Sequence, residues 1–325
     1  MTKRNKTLDA CVYCGLIKST FITDKLRYNK PGRVVKCNRC GLVRLMGVRA
    51  TENKLKEYYQ KQYVKEEHGK GVKAEIDTLF TSFYPVQRDR IDTIQKYLKK
   101  THTLLEIGSS AGYFLHAVKK YVKNVYGIEF NPEEARYATE VKGVKTSTNE
   151  LKNSEFCDMK FDHICLFQLL EHIPNPITSL QELKNYLTPK GYIHIEIPNI
   201  LDPLVNLFDN KEFRNFFYQK PHLYYFSPKT LKMVVDKTGL AIVELKPFQQ
   251  TSITNTLNWI YLRTSQPSRW ECIQTFISTK YIDAPGVDKV KNKINKMFQK
   301  FNAEYKKILE ESKFTDNLFC ILQNN

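Results

Sequence analysis

The spacing of apolar positions along this chain changes repeatedly, and each change marks an element. Residues 103–107 (TLLEI) form a short apolar run closed by Gly108, which reads as a buried strand. Phe114, Leu115, Val118, Tyr121 and Val122 then recur at helical spacing, and Val125 to Phe130 reads as a second strand ending on the acid Glu129. Between them lies the turn Gly108-Ser109-Ser110-Ala111-Gly112. Asn131-Pro132 is an N-cap with proline at the first helical position. A short strand at Val144 to Thr146 and a buried one at Phe161 to Phe167 follow. Asn175-Pro176 opens a helix ending near Leu187, and Pro189-Lys190-Gly191 turns into a strand from Tyr192 to Ile197. Ser227-Pro228 caps a helix that stops at Gly239, before a strand at Leu240 to Leu245 and a last one at Asn317 to Leu322. Strands alternating with helices predict an α/β fold with an open sheet.

Three stretches break the rhythm. Residues 51–84 are charged and read as a helical linker or lid; beyond it Pro85 opens a helix with Ile91, Ile94 and Leu98 turned inward. Residues 200–226 are loop-rich and dense in aromatics, with His222 near their end. Residues 250–315 read as an insertion before the last strand. It ends in a long amphipathic helix carrying Val287, Val290, Ile294, Met297, Phe301, Tyr305 and Ile308 on one face. The aromatic stretch and the insertion are the expected substrate cover, or else a second small core.

A strand, glycine turn and helix followed by a strand-end acid make a pocket for a nucleoside. The dinucleotide fingerprint G-x-G-x-x-G is not met here: the spacing is E-x-G-x-x-x-G, with Glu106 two residues ahead of Gly108. A carboxylate there repels a pyrophosphate and suits a cationic cofactor without phosphates. S-adenosylmethionine fits, with Glu129 placed for a ribose diol. Read from these residues alone, a generic βαβ turn with two incidental carboxylates stays open.

Eight cysteines fall into two groups. Cys11, Cys14, Cys37 and Cys40 form two C-x-x-C pairs, each followed by a glycine and separated by enough chain for a β-hairpin holding Tyr28 and Val34-Val35. Four thiolates leave no open coordination position, so the expected metal is structural zinc in a ribbon of residues 1–50; rubredoxin-type iron needs no feature beyond these. Cys157, Cys165, Cys272 and Cys320 stand singly in apolar surroundings and read as core residues in a reducing compartment. The N-terminal MTKRNKTLDA has no apolar signal-peptide core, and no run approaches the roughly 18 apolar residues of a membrane span. A cytoplasmic protein is expected. The net charge of +17 admits an anionic partner such as RNA or a nucleotide-linked substrate. The basic residues are spread along the chain, whereas a nucleic-acid footprint would be clustered.

Taken in order, EIGSSAG, GIEFNP, FDHICLFQLLEHIPNP, LTPKGYIHIEIPN and HLYYFSPKTLKMVVDKTGL resemble a class I S-adenosylmethionine-dependent methyltransferase of the ubiquinone-O-methyltransferase-like branch. The resemblance covers about residues 85–248 and the final strand. The cysteine ribbon is similar to that of sugar C-methyltransferases, which act on nucleotide-linked sugars. The resemblance implies a Rossmann-like seven-stranded sheet with the last strand antiparallel, in a methyltransferase domain of residues 85–325. It implies that Glu106, Gly108, Ser110 and Gly112, with Ser109 in the same turn, line the methionine side of the cofactor. Glu129 would hold the ribose, Phe130 pack on adenine, and Gln168 touch the methionine part. The acid that the family uses near strand three to contact adenine has no clear counterpart in Ser147-Thr148-Asn149-Glu150. Sugar C-methyltransferases have glutamate before the histidine of the Y-F-S segment; here Pro221 precedes His222.

In-line attack on a sulfonium methyl needs alignment, exclusion of water and, for a hydroxyl nucleophile, a base. His172, which follows Glu171 at the end of the fourth strand, and His222 are the candidate bases. The expected substrate is a small hydroxylated or nucleotide-linked molecule. RNA is the alternative, although the N/D-P-P-Y/F sequence frequent in base methylation is replaced here by Gln168-Leu-Leu-Glu171. A non-catalytic cofactor- or partner-binding module is a further alternative.

Overall fold

The computed structural model describes residues 10–48, 56–58, 60, 76–265, 272 and 287–324. Most of the expected 51–84 linker and residues 266–286 apart from Cys272 lie outside the described residues. A small antiparallel sheet comes first: β1 (Ser19–Leu26), β2 (Lys30–Cys37) and β3 (Val43–Met46). The hairpin predicted between the cysteine pairs is β1–β2, turning through Tyr28 and Asn29. Two helices follow, α1 (Ile76–Phe83) and α2 (Gln87–Ile94). Ile91 and Ile94 of α2 are buried, and Leu98 beyond its end is partly so.

The large sheet holds β4 (Thr103–Ile107), β5 (Asn124–Ile128), β6 (Lys145–Ser147), β7 (Phe161–Phe167), β8 (Leu187–Pro198), β10 (Leu240–Phe248) and β11 (Asn317–Asn324). Their order is β10-β11-β8-β7-β4-β5-β6. Strand β11 inserts antiparallel between β8 and β10, while β8, β7, β4, β5 and β6 run parallel. This is the seven-stranded arrangement that the resemblance implied. Both faces are covered, so the strands read as nearly continuous apolar runs. Successive residues serve opposite cores. Leu105, Leu318, Cys320 and Leu322 join one cluster; Leu104, Phe319 and Ile321 join the other.

The connecting helices include α3 (Tyr113–Val118), α4 (Pro132–Glu140) and α5 (Pro176–Lys184). The Asn131 side chain accepts from the amides of Glu133 and Glu134, as its N-cap position predicts. Pro189-Lys190-Gly191 does not precede the strand as a turn. Phe161 pairs with Leu187 and His163 with Tyr192, so the three residues bulge out of one strand, β8.

After β8 come the short helices α6 (Pro203–Asn206) and α7 (Lys211–Phe217) and the two-residue strand β9 (Tyr224–Tyr225). Strand β9 pairs with β3, Val43 against Tyr225, and completes the N-terminal sheet. Phe217, Tyr218 and Tyr225 share a core with Leu26, Val34, Val43 and Leu45. The aromatic stretch is thus the packing partner of the ribbon. Helix α8 (Pro228–Val235) opens with a Ser227–Thr230 capping box. Helices α9 (Ile253–Leu262) and α10 (Val287–Ser312) lie between β10 and β11 in the chain.

Most of the apolar face named on α10 is turned to solvent. Val290, Ile294, Met297, Phe301 and Ile308 are exposed. The helix is held through Tyr305, the half-buried member of that face, and its neighbours: Asn302 Oδ1 accepts from the Ile253 amide, Tyr305 Oη bonds Thr256 Oγ1, and Leu309 is buried. Among the described residues no helix is long and apolar enough to cross a membrane.

Leu318 on β11 is fully buried, so Leu318→Ala is expected to cost about 2–5 kcal/mol in urea unfolding. Met297→Ala on the exposed flank of α10 stays within roughly 0.5 kcal/mol of the parent. Equal effects of the two changes would refute this picture of the core.

Candidate functional site

Strand order reverses beside β4, which pairs with β5 on one side and β7 on the other. The carboxyl ends of strands at such a point form a crevice. Here they open onto a cavity of about 890 Å³. Its wall includes Glu106, Gly108, Ser109 and Ser110 from the turn after β4, Glu129 and Phe130 after β5, and Gln168 and His172 after β7. Of the candidate residues, Gly112 and His222 are not on the wall. Gly112 is the N-cap of α3 with φ +79°, and a Cβ there would lie 3.1 Å from the Cβ of Ala138 on α4. It lets two helices approach closely, in a conformation that side chains disfavour.

Each oxygen of Glu129 accepts one backbone hydrogen bond, from Ser110 N and Asn131 N, both at 2.8 Å. Burial, then repulsion from Glu134, nevertheless pushes its pKa up to about 7. Glu134 itself accepts from Ser110 Oγ at 2.6 Å and lines the cavity. Glu106 is more isolated. Its Oε2 has no hydrogen-bond partner among the described residues, nor has Ser109 Oγ. Burial raises the Glu106 pKa to about 8, Arg90 opposes the rise, and Glu129 and Glu196 add to it.

Arg90, from α2, makes a bidentate pair with Glu196 on β8, Nε to Oε2 at 2.8 Å and Nη2 to Oε1 at 3.0 Å. Gln168, with φ +54°, donates its side-chain amide to Glu196 Oε1 and to Asn317 Oδ1. The end of β7 is thereby locked to β8 and β11. Arg90, Gln87, Phe83 and Tyr113 also line the cavity, as do Glu150, Leu151 and Lys152. Sequence reasoning missed the pairing of Arg90 with Glu196. Glu150 closed the one segment in which no adenine-contacting acid could be placed. Among the described residues of 200–226 and 250–315, none lines the cavity.

His172 and His222 come together with rings 4.7 Å apart at 89°. The His172 Nδ1–H donates to the carbonyl of Pro221 at 3.0 Å, since a carbonyl can only accept. Burial pushes the His172 pKa down to about 4 and the His222 pKa well below its ordinary value, and it raises that of Glu171 to about 8. Both rings are neutral at neutral pH.

The four-cysteine cluster lies apart from the cavity. One sulfur from each of Cys11, Cys14, Cys37 and Cys40 falls within 4.8 Å of the others. Gly15 N donates to Cys11 O and Gly41 N to Cys37 O, which closes two matching turns around the cluster. Such a set of soft donors is suited to a tetrahedral ion.

An open α/β sheet with a glycine turn and two strand-end acids at its switch point defines a nucleoside-cofactor-binding domain. The family described as "Methyltransferase domain" matches residues 82–245, half of the chain, and the chain belongs to it. It is similar to an uncharacterized methyltransferase of Schizosaccharomyces pombe, 27% identical over 124 residues, 34% of this chain and 45% of that protein. It is also similar to the ubiquinone biosynthesis O-methyltransferase of Actinobacillus pleuropneumoniae, 30% identical over 106 residues, 30% of this chain and 45% of that protein. The chain thus spans a little under half the length of these curated relatives. A solved SAM dependent methyltransferase from Archaeoglobus fulgidus aligns over 77% of this chain and 98% of its own, with 17% identity and a TM-score of 0.47.

A raised carboxylate pKa ties stability to pH. Folded Glu106 keeps a proton up to about 8, whereas its ordinary value is 4.5, so between these the folded state binds more protons than the unfolded one. Stability of the ligand-free protein therefore falls as pH rises through this window. Glu106→Gln is expected to flatten that fall in urea unfolding series; an unchanged slope would exclude Glu106 as its source.

Proposed function

We propose that this protein transfers the methyl group of S-adenosylmethionine to a small hydroxylated substrate, with a nucleotide-linked sugar as one form of it. The observation that carries the reading is the pair of buried carboxylates flanking the glycine turn on the cavity wall, one of them with an unpartnered oxygen. A buried carboxylate without a donor is costly, and a cationic ligand offsets that cost. S-adenosylmethionine carries two positive groups and, when bound, supplies a methyl carbon on a good neutral leaving group.

In this reading Glu106 takes the cationic methionine end, helped by Gly108, Ser109 and Ser110. Glu129 takes the ribose hydroxyls and Phe130 packs on adenine. Gln168 positions the end of β7 through its two amide hydrogen bonds, and Gly112 sets the approach of α3. His172 and His222 deal with the proton of the nucleophile. The O-methyltransferase named among the relatives favours oxygen as the acceptor atom. The four cysteines hold a structural zinc ion: they offer four soft donors within reach of one centre and sit outside the cavity. We carry the division of the chain as a ribbon (1–50), a linker or lid (51–84) and a methyltransferase domain (85–325) on the same footing; the described parts of 200–226 and 250–315 do not line the cavity and are not carried as its cover.

Calorimetric titration with S-adenosylhomocysteine tests the cofactor site. Micromolar binding is expected, lost in Glu129→Ala, with a proton released at neutral pH as Glu106 ionises. Affinity should rise with pH, by up to about tenfold per unit below about 8, and then level off. No binding by a folded protein would refute the reading. For the ribbon, one zinc held by Cys11, Cys14, Cys37 and Cys40 is expected, released by a thiol-specific mercurial with a fall in Tm. Full thermal stability after release would refute a structural role.

A further inference from the structure

Helix α10 carries two stripes that the fold leaves open. Val290, Ile294, Met297 and Phe301 follow one another at intervals of four, three and four residues, and Ile308 stands seven beyond Phe301. All five are exposed, Met297 by 62%. This is the a/d spacing of a coiled-coil seam. Glu304 takes the seam position before Ile308, so the unbroken apolar run is Val290 to Phe301. The helix gives another side to its own protein, where Asn302 and Tyr305 bond residues of α9 and Leu309 is buried. The seam runs beside that anchored side, not on it.

The second stripe is one of charge. Lys293, Lys300 and Lys307 recur every seven residues, each one position before Ile294, Phe301 or Ile308, and all three are exposed. Lys289 and Lys296, also exposed, lie behind the same edge. The opposite flank, Lys291, Phe298 and Tyr305, is half-buried against the body of the protein. Lysine therefore lines the open edge of the seam. Among the described residues, Lys293, Lys300 and Lys307 form no ion pair. An exposed apolar stripe with a charged border marks an interaction surface.

Charge and width together decide the kind of partner. A second copy of this chain laid antiparallel along the seam would set Lys293, Lys300 and Lys307 against their own counterparts, and like charges there repel. Residues 266–286, which precede the helix, hold two basic and two acidic side chains and bring no net negative charge. A seam of a and d positions alone is narrower than the apolar face of a helix that lies in a membrane surface. We propose that α10 is the docking surface for an acidic amphipathic helix of another protein. That helix packs its apolar residues into the seam and sets carboxylates against Lys293, Lys300 and Lys307. Opposite charges at such flanking positions select the partner and its orientation. No residue of the seam lines the cavity, so the surface is independent of the methyl-transfer reading.

The test uses the full chain and a fluorescent synthetic helix with leucine at its a and d positions and glutamate at its e and g positions. Micromolar binding is expected in anisotropy titrations, weakened by about tenfold or more in Met297→Asp. Met297 is exposed, so this variant should keep the thermal unfolding of the parent. The same helix with lysine in place of glutamate is expected not to bind. Changing Lys293, Lys300 and Lys307 together to glutamate should reverse the preference. Failure of the parent to bind the acidic helix overturns the proposal. So does equal binding of the two helices, or a preference that the triple change leaves as it was. Sedimentation as a dimer that Met297→Asp splits would assign the face to a second copy. Flotation with phosphatidylglycerol vesicles, lost in the same variant and without binding of the acidic helix, would assign it to a membrane. Either result overturns the proposal.

Discussion

The constraint on which this structure turns is the cost of burying carboxylates at the carboxyl ends of a parallel sheet. Glu106, Glu129, Glu171 and Glu196 sit at or just beyond the ends of β4, β5, β7 and β8. Glu196 is neutralised in place by the bidentate guanidinium of Arg90. That pair also fixes α2 against the sheet, and Gln168 extends it to β11. Glu129 is half compensated by two amides. Glu106 and Glu171 keep unpartnered oxygens among the described residues, and the raised pKa of each records the debt. A sheet that gathers acids and satisfies only some of them is arranged for a ligand that brings positive charge.

The central part of the fold was legible because its signals are local. The apolar strand runs, the Asn131-Pro132 cap and the glycine turn each act within a few residues and are found where the spacing placed them, whereas the helix expected to end near Leu187 stops at Lys184 and Leu187 already opens β8. The strand order was not readable from spacing; it came from resemblance and agrees with the observed pairing. Three features were opaque for a common reason, distance along the chain. Arg90 meets Glu196 across 106 residues, and Tyr225 of β9 meets Val43 of β3 from still further along the chain. The amphipathic stripe of α10 marks a helix correctly but does not say which face finds the core. Polar contacts from Asn302 and from Tyr305, at the C-terminal end of the stripe, decide that. The bulge at Pro189–Gly191 was misread because turn residues inside a strand look the same as turn residues before one.

The candidate site divides in the same way. Residues of the glycine turn and the two strand-end acids were legible, because a nucleoside pocket needs them at short, fixed spacings, and the cavity gathers all of them but Ala111 and Gly112. His172 and His222 could be named singly from their neighbours. Their contact could not be, since it depends on the loop after β7 meeting the loop before β9.

Strand β9 has a consequence for how the protein comes to be. The cysteine hairpin is near the start of the chain, yet the sheet to which it belongs is finished by Tyr224 and Tyr225. During synthesis the cysteines precede the strand that completes their sheet, so β3 keeps one bare edge until most of the large sheet has been made. An unpaired edge invites pairing with other chains. Translation of residues 47–223 therefore sets the interval during which a folding chaperone would have most to protect.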